Sequence, residues 1–353
     1  MKKLLFLLLC QMTFAISVFG QNLDKNEVKA LNAFLSQNAA EGGSNAEALG
    51  FAGKDISKCH GLTIESGHVT AIDWSNKKIA GNLNLSGFSK LGQINMSDNE
   101  LATVELTNNP VLMDINVARN VITEFKLDNC PQVEILRVNQ NHLHDINLTG
   151  CLFLRKVNIA GNHFTAFNIN HAMNLESLNC MSNHLQRLEV SNCQNLVTLN
   201  ASNNDLTGVE LDGLVKLKNL NVDNNKIQEL YLQDLNSIVN VYCGQNYLVS
   251  LSFKNCNSLN DVWAPNNEIK KFMIEGCPKV AFIDLQYNNI ERLQIDNQPL
   301  LQRLNVANNQ LVMLDISYDP MLVNVNIKGN KLLNDIRTAG DNELQVVGEW
   351  NFE

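Results

Sequence analysis

From about residue 67 onward, apolar and polar positions alternate in short bursts that recur every 21 residues. Each burst reads apolar, variable, apolar, two variable positions, Asn, one variable position, then Leu or Ile, as in Leu199-x-Ala201-x-x-Asn204-x-Leu206 and Ile283-x-Leu285-x-x-Asn288-x-Ile290. Alternation with a period of two sends successive side chains to opposite faces, so the burst predicts a β-strand with one buried side. A second alternating pair follows, for instance Leu188-x-Val190, Leu230-x-Leu232 and Leu293-x-Ile295, and predicts another short extended segment. Turn clusters such as Asp128-Asn129-Cys130-Pro131 and Glu275-Gly276-Cys277-Pro278 then close the unit.

The Asn is invariant across twelve units with no insertion or deletion between them: Asn99, Asn120, Asn141, Asn162, Asn183, Asn204, Asn225, Asn246, Asn267, Asn288, Asn309 and Asn330. Where the chain leaves a strand, backbone groups point inward without a ladder partner. A carboxamide can both donate to and accept from them, which Asp, Ser or Ala can do only in part. A fixed repeat of this kind makes a stack of like units around one continuous core, not a set of globular domains.

The pattern LxxLxLxxNxL resembles the leucine-rich-repeat family, with short repeats of the bacterial secreted type, over residues 67–337. The resemblance implies an α/β-type repeat solenoid, a right-handed coil with a parallel concave sheet and thin irregular connections on the convex side. About 12–13 coils at ~4.8 Å per strand would give a surface roughly 60 Å long. An open coil exposes its core at both ends, so caps are expected. Residues 21–66 form the N-terminal one. There Asp24 and Glu27 read as a capping box, and Val28, Leu31, Phe34 and Leu35 as the apolar stripe of a short helix. The segment from Cys59 to Gly81 is similar to the cap and first repeat of plant-type extracellular leucine-rich repeats. It departs from them with Ile64 at the second cysteine, His60 at the tryptophan and Lys77 at the Asn position. The cap disulfide that the resemblance implies therefore lacks its second thiol. Residues 338–353 form the C-terminal cap, with Leu344 to Phe352, including Trp350, folding over the last coil.

Met1-Lys2-Lys3 followed by Leu4 to Leu9 has the charged and apolar regions of a secretory signal, with cleavage expected before Gln21, so residues 1–20 are assigned to it. Cys10 offers a lipid-anchored alternative, although Leu9 is bulky where a lipobox takes a small residue. The chain is read as exported, secreted or periplasmic, with no membrane span. Loss of the signal removes Lys2 and Lys3 and no acid, leaving 25 basic against 36 acidic side chains. Nucleic acid is not expected as a partner, because binding it needs clustered cations. Eight cysteines remain, and Cys130, Cys151, Cys193, Cys256 and Cys277 share one column of the repeat with Ala172, Leu214 and Leu235. They read as small buried hydrophobes with free thiols. Cys130 with Cys151 and Cys256 with Cys277 are nevertheless within disulfide reach by distance alone, though parallel Cβ vectors would strain the bond.

Catalytic signatures are missing: there is no GxSxG, HExxH or GxGxxG, and near Gly53-Lys54 the phosphate-loop pattern fails at Ala48. The chain is read as no enzyme, with no cofactor and no metal. The outward column in mid-strand is more informative: Asn95, Asn116, Arg137, Asn158, Asn179, Asn200, Asn221, Tyr242, Trp263, Asp284, Asn305 and Asn326. Asn is a poor strand former, and stacked amides bonding along the sheet would account for it. Tyr242, Trp263 and Asp284 break that stripe, and neighbouring outward columns add Asp261, Phe282 and Tyr287. Exposed rings beside carboxylates predict a ligand-binding patch, with the aromatics as anchors and the acids giving polar specificity. His142, His163 and His184 follow the fixed Asn in successive units with His144 nearby, a spacing that suits a divalent metal or a protonation switch. No carboxylate or thiolate is expected to complete a ligand set there, and the position, also held by Asp205, Lys226 and Glu268, reads as a tolerant surface one. The expected function is recognition of a protein ligand on the concave face, with glycan binding or a self-associating surface role as alternatives and the oligomeric state open.

Overall fold

In the computed structural model, residues 23–338 and 344–348 are described, apart from 52, 54, 294, 296 and 297. The first strand of each unit, most of them three residues long, adds in chain order to a single 15-stranded sheet. Its register keeps equivalent residues side by side: Leu178, Leu199, Leu220, Val241, Val262, Ile283 and Leu304 pair in succession. This is the alternation seen in the sequence made physical, since the central residue of every strand points into one continuous core. The sheet is parallel except at its start, where Leu62–Glu65 pairs antiparallel with His68–Asp73.

The twelve fixed Asn side chains tie that core together. Each Oδ1 accepts a backbone N–H from the coil before it, as from Leu185 to Asn204 at 2.9 Å. The Asn204 Nδ2 donates to the carbonyls of Cys180, one coil back, and Ala201, in its own coil, both at 3.1 Å. The amide therefore satisfies backbone groups, as expected from its chemistry, and it also staples neighbouring turns. The residue before it is left-handed in each coil, from Asp98 at φ 60° to Asn308 at φ 56°, with glycine there at Gly161 and Gly329.

The second extended segment forms a discontinuous face. Its strands group as Ala80–Asn84, Glu100–Glu105 and Glu124–Lys126; Ala166–Asn168 and Arg187–Glu189; Glu229–Gln233, Ser250–Lys254 and Lys271–Glu275; Met313–Ile316 and Asp335–Thr338. Between the groups, Asp145 and Gly208 occupy the column that elsewhere starts a strand, and both residue types resist extended structure. The third break, at Arg292, retains an isolated bridge to Met313.

At the N-terminus, the helix Lys25–Leu35 buries Leu31, Phe34 and Leu35, and Phe34 stacks on Trp74 at 5.9 Å. Asp24 caps it by accepting from the Asn26 and Glu27 N–H groups. The expected capping box is only half formed, because the buried Glu27 turns instead to the Val69 N–H at 2.8 Å and His68 Nδ1 at 3.0 Å. A complete box closes the next short helix, Asn45–Ala48, through Ser44 and Glu47. Cys59 is a buried free thiol. At the other end Gln345–Val347 extends the long sheet beside Asn324–Asn326. The expected signal segment, Cys10, Trp350 and Phe352 lie outside the described residues.

Candidate functional site

The mid-strand Asn column has a local purpose. In all eight Asn-bearing strands the side-chain Oδ1 accepts the backbone N–H two residues on, at 3.0–3.3 Å, and so closes the turn where the strand ends. The continuous amide ladder expected from the sequence reduces to short runs, Asn116 to Asn95 to Asp73 and Asn305 to Asp284. Turn geometry outcompetes it because the strand is too short to leave its exit unsupported.

Tyr242 and Trp263 replace this acceptor with a ring, and the neighbouring sequence compensates for both. The Gly244 N–H is accepted by the Asp223 carboxylate from the coil before, at 2.6 Å. Two residues after Trp263 stands Pro265, which has no N–H to satisfy. Burial raises the Asp223 carboxyl above its ordinary range, although the Gly244 N–H opposes that.

These substitutions build a row of rings across the long sheet. Tyr242 stacks with Trp263 at 6.2 Å between centroids, Trp263 meets Phe282 at 4.3 Å, and the Arg303 guanidinium lies 4.8 Å over the Phe282 ring. Beyond Arg303 the row opens onto a depression of about 190 Å³ between Phe282, Asn305, Asn324 and Val347. The Trp263 Nε1 is buried with no hydrogen-bond partner among the described residues, which costs about 1–3 kcal/mol.

The predicted cluster is brought together in part. Tyr242, Trp263 and Asp261 are half-buried on adjacent strands. Phe282 and Asp284 were expected to be exposed, but they are only 8 % and 4 % exposed. Trp263 and Arg303 cover Phe282 on both sides. Asp284 is held by the Gln286 N–H at 3.0 Å and the Asn305 amide at 3.2 Å, doing the work of the column's Asn. Its carboxyl is raised, first by desolvation, with those hydrogen bonds opposing. Tyr287 is 53 % exposed, but it is the left-handed residue before Asn288, φ 55°, at the strand exit and outside the row. Arg303 was missed by the sequence reading, although it stands 21 residues after Phe282 in the same column.

The imidazoles do align. His142 and His184 flank His163 at 5.6 and 6.1 Å between ring centroids, and His144 lies 5.3 Å from it. The His163 pKa is lowered by desolvation and then by its three neighbours. Asp205, the carboxylate next in the column, lies 3.9 Å from His184 Nδ1 and 2.8 Å from Lys226. Among the described residues no group of three or more His, Cys, Asp or Glu is arranged to hold a metal ion. All eight described cysteines are buried free thiols, and burial pushes Cys151 and Cys180 up to about 12.

Solved structures with a similar fold include the functional domain of InlJ from Listeria monocytogenes, which includes a cysteine ladder (22 % identity, 74 % of this chain and 69 % of that one, TM-score 0.51). An internalin, InlF, from the same organism aligns at 16 % identity over 78 % of this chain and 91 % of that one, TM-score 0.52. The leucine-rich effector protein YopM from Yersinia pestis aligns at 21 % identity over 79 % and 82 %, TM-score 0.56. No family model matches the chain, and no curated protein matches it. The likenesses show the fold, a leucine-rich-repeat coil with a small helical cap.

Proposed function

We propose that this leucine-rich-repeat solenoid is an exported, non-catalytic recognition protein that binds a protein ligand on its long sheet. Tyr242, Trp263 and Phe282 with Arg303 form the anchor, and Asp261 lies at its polar margin. The observation that carries the reading is the paired compensation around the rings. Where rings replace the turn-closing Asn at two successive strands, Asp223 takes up one freed N–H and Pro265 removes the other. A row that served packing alone would gain nothing from leaving the Trp263 Nε1 unpartnered. Aromatic and Arg side chains are the residues that most often dominate protein interfaces, because they bring large area at low conformational cost. The carboxyls with raised pKa, Asp223 and Asp284, are engaged with backbone N–H groups, so their chemistry is structural. The Lys2-Lys3 and Leu4–Leu9 run supports export. The internalin and YopM likenesses support an interaction domain of this fold.

Site-specific photocrosslinking tests the proposal. A photoreactive phenylalanine at position 263 is expected to capture a protein ligand that the same group at position 200, in the same column, does not. Equal capture at both positions, or adducts with the protein's own copies alone, would reject this surface as the ligand site. Binding confined to glycans on an array, and lost in Trp263→Ala, would replace the protein ligand by a carbohydrate.

A further inference from the structure

The four imidazoles beyond the exits of the first strands stand outside the aromatic row. His142, His163 and His184 follow the fixed Asn of three successive coils, and His144 lies on the same side as His142 because Leu143 between them is buried. The rings are nearly parallel, with planes 5° apart between His142 and His163 and 9° apart between His163 and His184. Three of them are exposed and His163 is half-buried, and among the described residues none of their nitrogens makes a hydrogen bond. Few charges face the row. Asp205 continues its column but is shared with Lys226, and at the other end Val121 separates it from Glu100. Glu124, Asp145 and Arg187 stand three residues further along their coils, Arg187 being bound to Glu189 at 2.8 Å. On the opposite flank, Gln140, Gly161 and Ser182 carry no charge.

We propose that this row is an acid-gated binding site for an extended acidic segment of a partner protein. Imidazole is the side chain that gains its charge between about pH 8 and 5. Acidification therefore writes a cationic strip onto a chain that has 36 acidic against 27 basic side chains. Desolvation and then the three neighbouring rings hold His163 below its ordinary range, so the free row resists charging. Carboxylates laid along it relieve that repulsion, and the complex holds more protons than the free protein; affinity rises as pH falls. Same-side residues of an extended segment recur about every 6.6 Å, close to the 5.6 and 6.1 Å between successive rings. Alternate acids thus meet successive coils. The site is separate from the aromatic row, and its occupancy does not depend on that row.

The test titrates a fluorescent, end-blocked peptide of alternating glutamate and threonine, about eight residues long, into the full chain. Saturable binding is expected at about pH 5.5, about tenfold tighter than at about pH 7.5, and it should fade again near pH 4 as the glutamates take up protons. Each exposed ion pair changes affinity about threefold. His163→Gln should therefore lose about threefold of the gain, and His163→Lys, charged throughout, should bind about threefold more tightly than the parent at about pH 7.5; circular dichroism checks the fold of both. A peptide of the same composition with its glutamates contiguous presents only half of them on one side and should bind about threefold more weakly. No saturation up to about 1 mM, affinity independent of pH, an unchanged gain in His163→Gln, or equal affinity for the contiguous peptide would each overturn the proposal. Dextran sulfate that binds more tightly than the peptide at about pH 5.5, and loses that binding in His163→Gln, would assign the row to a sulfated glycan instead.

Discussion

A single side chain can carry two histories in this protein, and Asp284 does so. It sits where eight other strands place Asn, and it makes the same turn-closing bond to the N–H two residues on. As an acid it does so at a cost, because burial holds its pKa above the ordinary carboxylate range. The folded state therefore retains this proton to higher pH than the unfolded state, and the contribution to stability falls as pH rises from about 4 through the folded-state pKa. Asp284→Asn keeps the turn-closing acceptor, gives up the oxygen that takes the Asn305 amide, and removes the ionisation. It is expected to unfold at higher urea than the parent at pH 7, with the difference shrinking as pH falls towards 4. The rings beside it were legible in the sequence as a break in a stripe of Asn. Their compensation by Asp223 and Pro265 was not, because it follows only once the purpose of the Asn is known. Burial of Phe282 was hidden for a related reason, since Arg303 covers it from another coil.

At the scale of the element, the first strand and the second segment differ in how much of them alternation reveals. The first strand is both apolar-patterned and fixed by its Asn, and pattern and structure coincide along the long sheet. The second segment keeps its apolar pair in every unit, including Ile146-x-Leu148 and Val209-x-Leu211, yet at those two coils no strand forms. Alternation reports which face is buried; it does not report whether the flanking residue can be extended. Asp145 and Gly208 decide that. Gly208→Val, built into open space, is expected to extend the coil and raise stability by up to about 1 kcal/mol, measured by urea unfolding. A variant no more stable than the parent would mean that the break has another cause.

Across the whole molecule the repeat made the solenoid, its register and its core plain from spacing alone. The ends were harder: the helix cap was readable from its apolar stripe, but the turn of Glu27 towards Val69 depended on where the first strand would lie. A stack in which each unit meets only its neighbours divides its stability among interfaces. Asn204→Ala removes bonds both to the preceding coil and within its own. It is expected to cost about 2–4 kcal/mol, the penalty of several buried backbone groups left unpaired. Hydrogen exchange should locate the loss at the coils on either side of residue 204, with the two ends keeping their protection. Uniform loss along the chain would show that the stack opens as one body.

The staples all point backwards. Leu185 finds its acceptor only when Asn204 arrives, so a winding that has already formed is completed by residues that come 19 positions later. For a polypeptide that emerges from its N-terminus first, each new segment clicks the previous one shut, and the newest is always the loosest. Such a chain assembles like a ratchet, with its helical plug as the fixed start.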